Sequence, residues 1–269
     1  PRPVRGPMAV AALGFTLIVV IGLMGAPLLA LVGRSLVGSE GLTLTAYTEL
    51  FVNRRASAFY VAPFQALLNS LGIAGVTALI ALALGLPAAY VISRAGRAAR
   101  MLDAALLLPL GTSAVSLGLG YLLAFGRAPV DWRSEPWLLP VAHALIAFPF
   151  TVRSLVPAWQ GVRPRLRQAA AVLGATPWAV VREIDLPLIS RAVIVAGAFA
   201  FAISLGEFGA TALLTRPEFP TLPVAIFNYL GQPGALNYGQ ALAMSTILML
   251  VCMAAIVVIE GLEPEDAEA

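Results

Sequence analysis

The sequence predicts an all-α integral membrane bundle of about six transmembrane helices, and three observations predict it. Of 269 residues, 59% are hydrophobic and 12% charged, where an ordinary soluble domain carries roughly a quarter charged residues. Apolar runs close to the length a helix needs to cross the hydrocarbon core, about 20 residues, recur six times. The arginines gather in the short segments between these runs.

Taken in order, the expected spans cover residues 8–32, 67–92, 104–125, 136–152, 189–214 and 239–259. The run from Met8 is about 25 residues long. That is too long for a signal-peptide core of roughly 7 to 15, and no small-residue cleavage site comes after it, so it reads as a retained span in a chain that begins at Pro1. In the second span Gly72, Gly75 and Ala78 lie at helical spacing, where they would let another helix approach closely. The fourth is short and holds Pro140 and Pro149, which predicts a kink or an extension into Arg153. The fifth has Arg191 near its start and Glu207 near its end. On this reading residues 1–59 form an N-terminal span with an outer loop, 60–262 the core, and 263–269 a solvated acidic tail.

Arginine bias orients the spans. All 17 basic residues are Arg, and eleven fall in the segments 1–7, 93–100 and 153–191, assigned to the cytoplasm. Arg34, Arg54, Arg55, Arg127, Arg133 and Arg216 fall in the outer loops, diluted by Glu40, Glu49, Asp131, Glu135 and Glu218. Both termini are therefore expected in the cytoplasm. The absence of lysine excludes a Walker A phosphate loop, which needs Lys to reach the terminal phosphates, so the chain is not itself a P-loop ATPase. A net charge of +3, with no basic stripe, argues against nucleic-acid binding. Cys252 sits in an apolar run as a small core filler.

The polar segment 163–187, between the fourth and fifth spans, reads as two short helices. Pro164 opens the first at its N1 position. Leu166, Ala170 and Leu173 share a face, and Gly174 supplies the left-handed residue that ends it. Thr176 and Pro177 form a second N-cap and N1 pair, so a new helix begins at once and runs toward Ile184.

Gln168, Ala169 and Ala170, then Gly174, then Ile184, Leu186 and Pro187 reproduce the spacing of the EAA loop of ATP-binding-cassette (ABC) importer permeases, with Gln168 in place of the usual Glu. The chain resembles that family from about Phe64 to Leu262. Asn69 and Ser70, residues 109–121, 204–211 and 221–223, and the Val258 to Glu260 tripeptide look like the subgroup that imports ferric iron or thiamine. The resemblance implies a type I ABC-importer permease fold in the inner membrane of a prokaryote, not an enzyme in itself. It also implies a coupling helix at 165–174, so that Arg165, Gln168, Ala169, Ala170, Gly174, Ile184, Leu186 and Pro187 engage a pair of ATP-binding subunits. ATP and magnesium would be held by those partners, and no cofactor by this chain. A second permease half, identical, homologous or fused, and an extracytoplasmic binding protein docking on loops 33–63 and 215–238 are implied as well.

Ser204, Glu207 and Thr211 are the candidates for a translocation path. Glu207 lies roughly 27 Å along its expected helix at 1.5 Å per residue. Its carboxylate either faces an outer vestibule, attracting a cation such as ferric iron or thiamine, or reaches interfacial water. Gly206 and Gly209 either loosen the helix at a gate or permit packing. His143, the only histidine, reads as a hydrogen-bonded structural residue, because metal binding wants clustered ligands; no metal site is expected. Tyr121, Trp132 and Trp137 mark an aromatic belt. The alternative function is a secondary transporter driven by an ion gradient, which should show paired interrupted spans and buried polar residues at the midplane.

Overall fold

The computed structural model describes residues 6–38, 41–52, 62–94, 96–127, 130–131 and 135–261. Arg2, Arg5, Glu40, Arg54, Arg55, Trp132, Arg133 and the acidic tail lie outside the described residues, as do the side chains of Arg127, Asp131, Val258 and Glu260. The chain divides into two compact units. One groups residues 1–57 with 226–247, and the other groups 58–225 with 248–269.

In the first unit, α1 (Pro7–Ser35) is apolar on every face. Only its last residue, Ser35, is buried among its described side chains. A helix apolar all round and left uncovered by its own chain has lipid as its natural solvent. A hairpin of β1 (Val37–Gly38) and β2 (Gly41–Leu42) comes next, then α2 (Thr45–Thr48) and a 3-10 turn at Glu49–Phe51. The Tyr47 hydroxyl lies 2.7 Å from Ser35 Oγ, which itself donates to the Val32 carbonyl. Gln240 Nε2 donates to the Glu49 carbonyl at 2.9 Å, closing this unit over the buried Leu50.

The second unit is built on α3 (Pro63–Ile92), succeeded by α4 (Arg97–Ala105), α5 (Leu107–Leu110), α6 (Ala114–Phe125) and a two-residue hairpin, β3 (Gly126–Arg127) with β4 (Val130–Asp131). Next come α7 (Leu138–Gly161), α8 (Pro164–Val172), α9 (Pro177–Val180), a π-helical turn at Val181–Asp185, α10 (Leu186–Gly206) and α11 (Gly209–Leu214). The remaining helices, α12 (Leu222–Leu230) and α13 (Ala235–Gly261), cross the division between the units.

The core of the second unit lies where α3, α7 and α10 meet. Ala81, Ala147 and Ala200, one from each helix, are fully buried together, which is how helices approach closely in lipid. A wider layer of Ala88, Ala89, Val152, Leu155, Trp159, Ile189 and Ala196 continues the contact. The Tyr90 ring meets Trp159 edge-on at 5.0 Å, and the Arg94 guanidinium lies 4.2 Å over Tyr90. Of the three small residues expected to admit another helix, Ala78 packs against the Ala81 cluster. The close glycine contacts within this chain are not at Gly72 and Gly75, around which a Cβ would meet nothing within 4 Å among the described residues. They occur instead at Gly85, against Thr151, and at Gly197, against Leu82.

Among the described residues five helices are long and apolar enough to span a membrane, and a sixth span forms if α4 to α6 are counted as one. That bent pair lies where the third span is expected over 104–125, and within it the chain turns by 97° between residues 110 and 114. Pro109 lacks an amide hydrogen. Ser113 then caps α6 by accepting from the Ser116 amide at 3.2 Å, so the helix restarts instead of continuing.

The fourth span runs on to Gly161, well past the expected end at 152. Arg153 is tolerated inside it because its half-exposed guanidinium pairs with Asp103 at 3.1 Å. An exposed pair of this kind contributes about 0.2–1 kcal/mol. Arg153→Gln is therefore expected to leave the melting midpoint of the purified protein within a degree or two of the parent, as read by a thermal-shift scan.

Candidate functional site

Two sites emerge, one at each end of the helix that runs from Pro177 to Gly206. At the first, Pro164 stands at the start of α8 and Gly174 ends it with φ +84°. The Gly174 amide donates to the Ala171 carbonyl and the Ala175 amide to the Ala170 carbonyl, both at 3.0 Å. This paired closure requires a left-handed residue at the position Gly174 occupies. Thr176 then accepts from the Ala179 amide at 3.2 Å, capping the next helix with Pro177 at its first turn.

The residue spacing places the end of this second helix near Ile184. The structure carries it through the π turn directly into α10, so the knuckle and the fifth span share one continuous helix. No residue of α8 is buried. Arg165, Gln168 and Ala169 are exposed and Ala170 half-buried, while Val172 and Leu173 stand 88% and 87% exposed and Trp178 70%. Ile184 and Leu186 are half-buried and Pro187 exposed, at the entry to α10.

The second site is only partly legible in the sequence. Glu207 does not lie within a helix: α10 stops at Gly206, Glu207 is extended, and α11 restarts at Gly209. The half-buried Glu207 carboxylate accepts from the Ala210 amide at 2.6 Å, an N-terminal cap on α11. Gly209 is a packing glycine, with Val115 Cγ2 placed 3.0 Å from any added Cβ.

Ser204 and Thr211 are buried and turned onto His143, itself 1% exposed. His143 Nδ1 lies 2.7 Å from Ser204 Oγ, and Nε2 lies 2.7 Å from Thr211 Oγ1. Ser204 Oγ also meets Thr77 Oγ1 at 3.2 Å, Thr77 reaches the Pro140 carbonyl at 3.3 Å, and Thr211 Oγ1 reaches the Glu207 carbonyl at 3.0 Å. The imidazole thus ties α7, α10 and α11 directly, and α3 through Ser204. A neutral imidazole and three hydroxyls carry four protons for these five contacts. Among the described residues no cluster of three His, Cys, Asp or Glu side chains is placed to hold a metal ion.

Two segments picked out separately in the sequence prove to be partners. Asn69 Nδ2 donates to the Pro220 carbonyl at 3.0 Å, and the Leu222 amide donates to Ser70 Oγ at 2.8 Å. The start of α3 therefore fastens residues 220–222 in place.

No family model matches the chain. The 2-aminoethylphosphonate transport system permease protein PhnV of Salmonella paratyphi A is 30% identical over 203 residues, covering 75% of this chain and 76% of PhnV. The molybdenum transport system permease protein ModB of Escherichia coli K12 is 34% identical over 203 residues, covering 69% of this chain and 88% of ModB. The chain belongs to the ABC-importer permease family.

The permease also aligns with the thiamine transport system permease protein ThiP of Brucella abortus at 29% identity, over 77% of its own length and 38% of ThiP. Its fold matches a chain of a bacterial alginate ABC transporter with a TM-score of 0.74, at 18% identity over 97% of this chain and 96% of the other. The expected all-α membrane bundle of a type I ABC-importer permease is thereby established, and it is a multi-pass membrane protein. This also decides against the secondary-transporter alternative.

Proposed function

We propose that this permease moves a small polar solute, handed over by an extracytoplasmic binding protein, into the cytoplasm of a prokaryote, with α8 and the start of α9 seated on a separate ATP-binding subunit. Both termini would face the cytoplasm, in keeping with the arginine bias of segments 93–100 and 153–191. ATP and magnesium belong to the partner subunits in this reading, and a second permease half completes the pathway. The observation that carries it is the surface of the knuckle. Val172, Leu173 and Trp178 are large apolar side chains exposed on a doubly capped helix pair that links α7 to α10. Such a surface is an interaction site by default. Arg165, Gln168, Ala169 and Ala170 lie on the same helix, and Gly174, Ile184, Leu186 and Pro187 set its exit into α10.

PhnV, ModB and ThiP are transport permeases for 2-aminoethylphosphonate, molybdenum and thiamine. Thiamine is one half of the expected subgroup; ferric iron, the other half, finds no support among them. The solute class is accordingly kept broad, since its choice falls mainly to the binding protein. Glu207, half-buried at the α10–α11 break, remains the candidate for the path, while Ser204 and Thr211 support it from within.

The test is co-purification with the ATP-binding subunit and binding-protein-stimulated ATP hydrolysis in proteoliposomes. Ala170→Glu places a charge on the seating face and is expected to abolish both while membrane insertion persists. Unchanged co-purification and stimulation would remove the docking role from the knuckle.

A further inference from the structure

We propose that the ion pair between Arg167 and Asp185 is the clasp by which α8 drives α10, converting displacement of the knuckle into movement of the spanning helix; this rests on the proposed docking role of α8. No residue of α8 is buried, so the helix is not keyed into the core by packing. Its flanks carry Gly161 on one side and Gly174 on the other, and glycine resists a swivel poorly. Load applied to such a helix would rotate it without moving α10, unless a side chain ties it down.

Arg167 supplies that tie. Its Nε donates to Asp185 Oδ1 at 2.8 Å, across 18 residues of sequence. Asp185 is 1% exposed and is the last residue of the π turn, directly before α10 begins. A buried carboxylate is held strongly to its partner, because separating the pair would leave an uncompensated charge. The tie therefore resists separation where it meets the spanning helix.

The place itself has the right mechanics. A π turn is a local widening of the helix, an alternative to the regular α register over the same residues, and such turns occur frequently at functional sites. The bond is also single. Arg167 Nη2 is enclosed with no acceptor among the described residues, where a guanidinium facing a carboxylate commonly makes two parallel bonds. A second donor thus lies in reserve, and a shift of α8 that brought it onto Asp185 would fork the pair and change the pull on the π turn. At its far end the same helix carries Ser204 and the break at Glu207, so displacement at Asp185 is delivered to the His143 cluster.

The experiment uses the complete transporter reconstituted with its ATP-binding subunit and binding protein. Four forms are compared with the parent: Arg167→Met, Asp185→Asn, the exchange Arg167→Asp with Asp185→Arg, and the apolar double Arg167→Met with Asp185→Leu. Arg167→Met alone strands a buried carboxylate and is the variant most prone to misfold; the two doubles avoid that. The clasp predicts that the apolar double co-purifies with the ATP-binding subunit and hydrolyses ATP at the basal rate. Its binding-protein stimulation should fall by roughly tenfold, the size of an ordinary coupling between sites. ATP consumed per solute transported should rise, and the exchanged pair should recover most of the stimulation.

Full stimulation in the apolar double, or no recovery on exchange, overturns the clasp. Loss of co-purification in the apolar double overturns it too, because Arg167 would then be a docking residue. Ala170→Glu separates the two ideas. If it abolishes co-purification while the apolar double stays fully stimulated, docking stands and the clasp falls. If it leaves co-purification intact, the docking reading fails first and the clasp with it.

Discussion

Gly118→Leu is expected to prevent α6 and α11 from packing, whereas Gly120→Leu on the same helix is expected to be tolerated. A Cβ added at Gly118 would stand 2.8 Å from the Ala210 Cα and 3.2 Å from its carbonyl oxygen. Both are backbone atoms, so no side-chain rotation can relieve the contact and the two helices must separate. Gly120 has nothing within 4 Å of its added Cβ, and leucine there would simply face outward. Overpacking a well-filled core costs about 1–3 kcal/mol where side chains can yield. With backbone on the receiving side, Gly118→Leu should lie at or beyond the upper end of that range. Ala210 also donates to the Glu207 carboxylate, so the displacement would uncap α11 and carry the α10–α11 break with it. Fluorescence-detected size exclusion and thermal melting of both variants provide the readout. Similar melting midpoints for the two would show that α6 and α11 are not in the contact described.

The contrast between these glycines explains what the sequence could and could not disclose. The knuckle at 163–180 is legible almost atom by atom, because its determinants are local. Proline at a first turn, glycine at a left-handed closure and threonine before proline each act on neighbours within four residues, and Pro164, Gly174, Thr176 and Pro177 all do what those rules require. The continuation through Val181–Asp185 into α10 is not legible, since no residue type marks a π turn. Hydropathy counts the spans but blurs the third and fifth. A run such as 104–125 is apolar whether it crosses straight or bends at Pro109 and Ser113, and 189–214 is apolar on both sides of Glu207. Helix-packing glycines depend on which helix lies opposite, and periodicity within one span does not say. Gly72 and Gly75 therefore look suitable and meet nothing among the described residues of this chain, while Gly85, Gly118 and Gly197 make the contacts. His143 reads from its surroundings as a hydrogen-bonded structural residue, and it is one; that its partners are Ser204 and Thr211, 61 and 68 residues away, is beyond any local rule. The hint is a polar residue amid alanines on an apolar helix, which in lipid must find acceptors or donors on another helix.

His143→Leu is expected to lower the stability of the purified permease by about 1–4 kcal/mol, from two interhelical hydrogen bonds of roughly 0.6–2 kcal/mol each. Leucine fills similar space, so little of the loss should come from a cavity. The stranded hydroxyls are not left without partners, since Thr211 still reaches the Glu207 carbonyl and Ser204 still reaches Thr77. The loss therefore measures the imidazole's own ties, and a double-mutant cycle can isolate one of them. Ser204→Ala in the parent removes the contact to Nδ1 and the contact to Thr77; in the His143→Leu background it removes only the second. Its cost should consequently shrink by about 0.6 kcal/mol or more in that background. Ser204 has one proton for Nδ1 and Thr77 Oγ1, because Thr77 gives its own to the Pro140 carbonyl. Thr77→Val is therefore coupled to the ring as well, and its cost should rise in the His143→Leu background, where that proton goes to Thr77 alone. Strict additivity of His143→Leu and Ser204→Ala, within about 0.5 kcal/mol, would mean that the 2.7 Å contact contributes nothing and that α7 and α10 are held at this level by packing alone. Non-additivity would make the histidine the pin that fixes the broken fifth span against the fourth. Displacing that pin, and not Glu207 by itself, would then be the step that any opening at residues 206–209 requires.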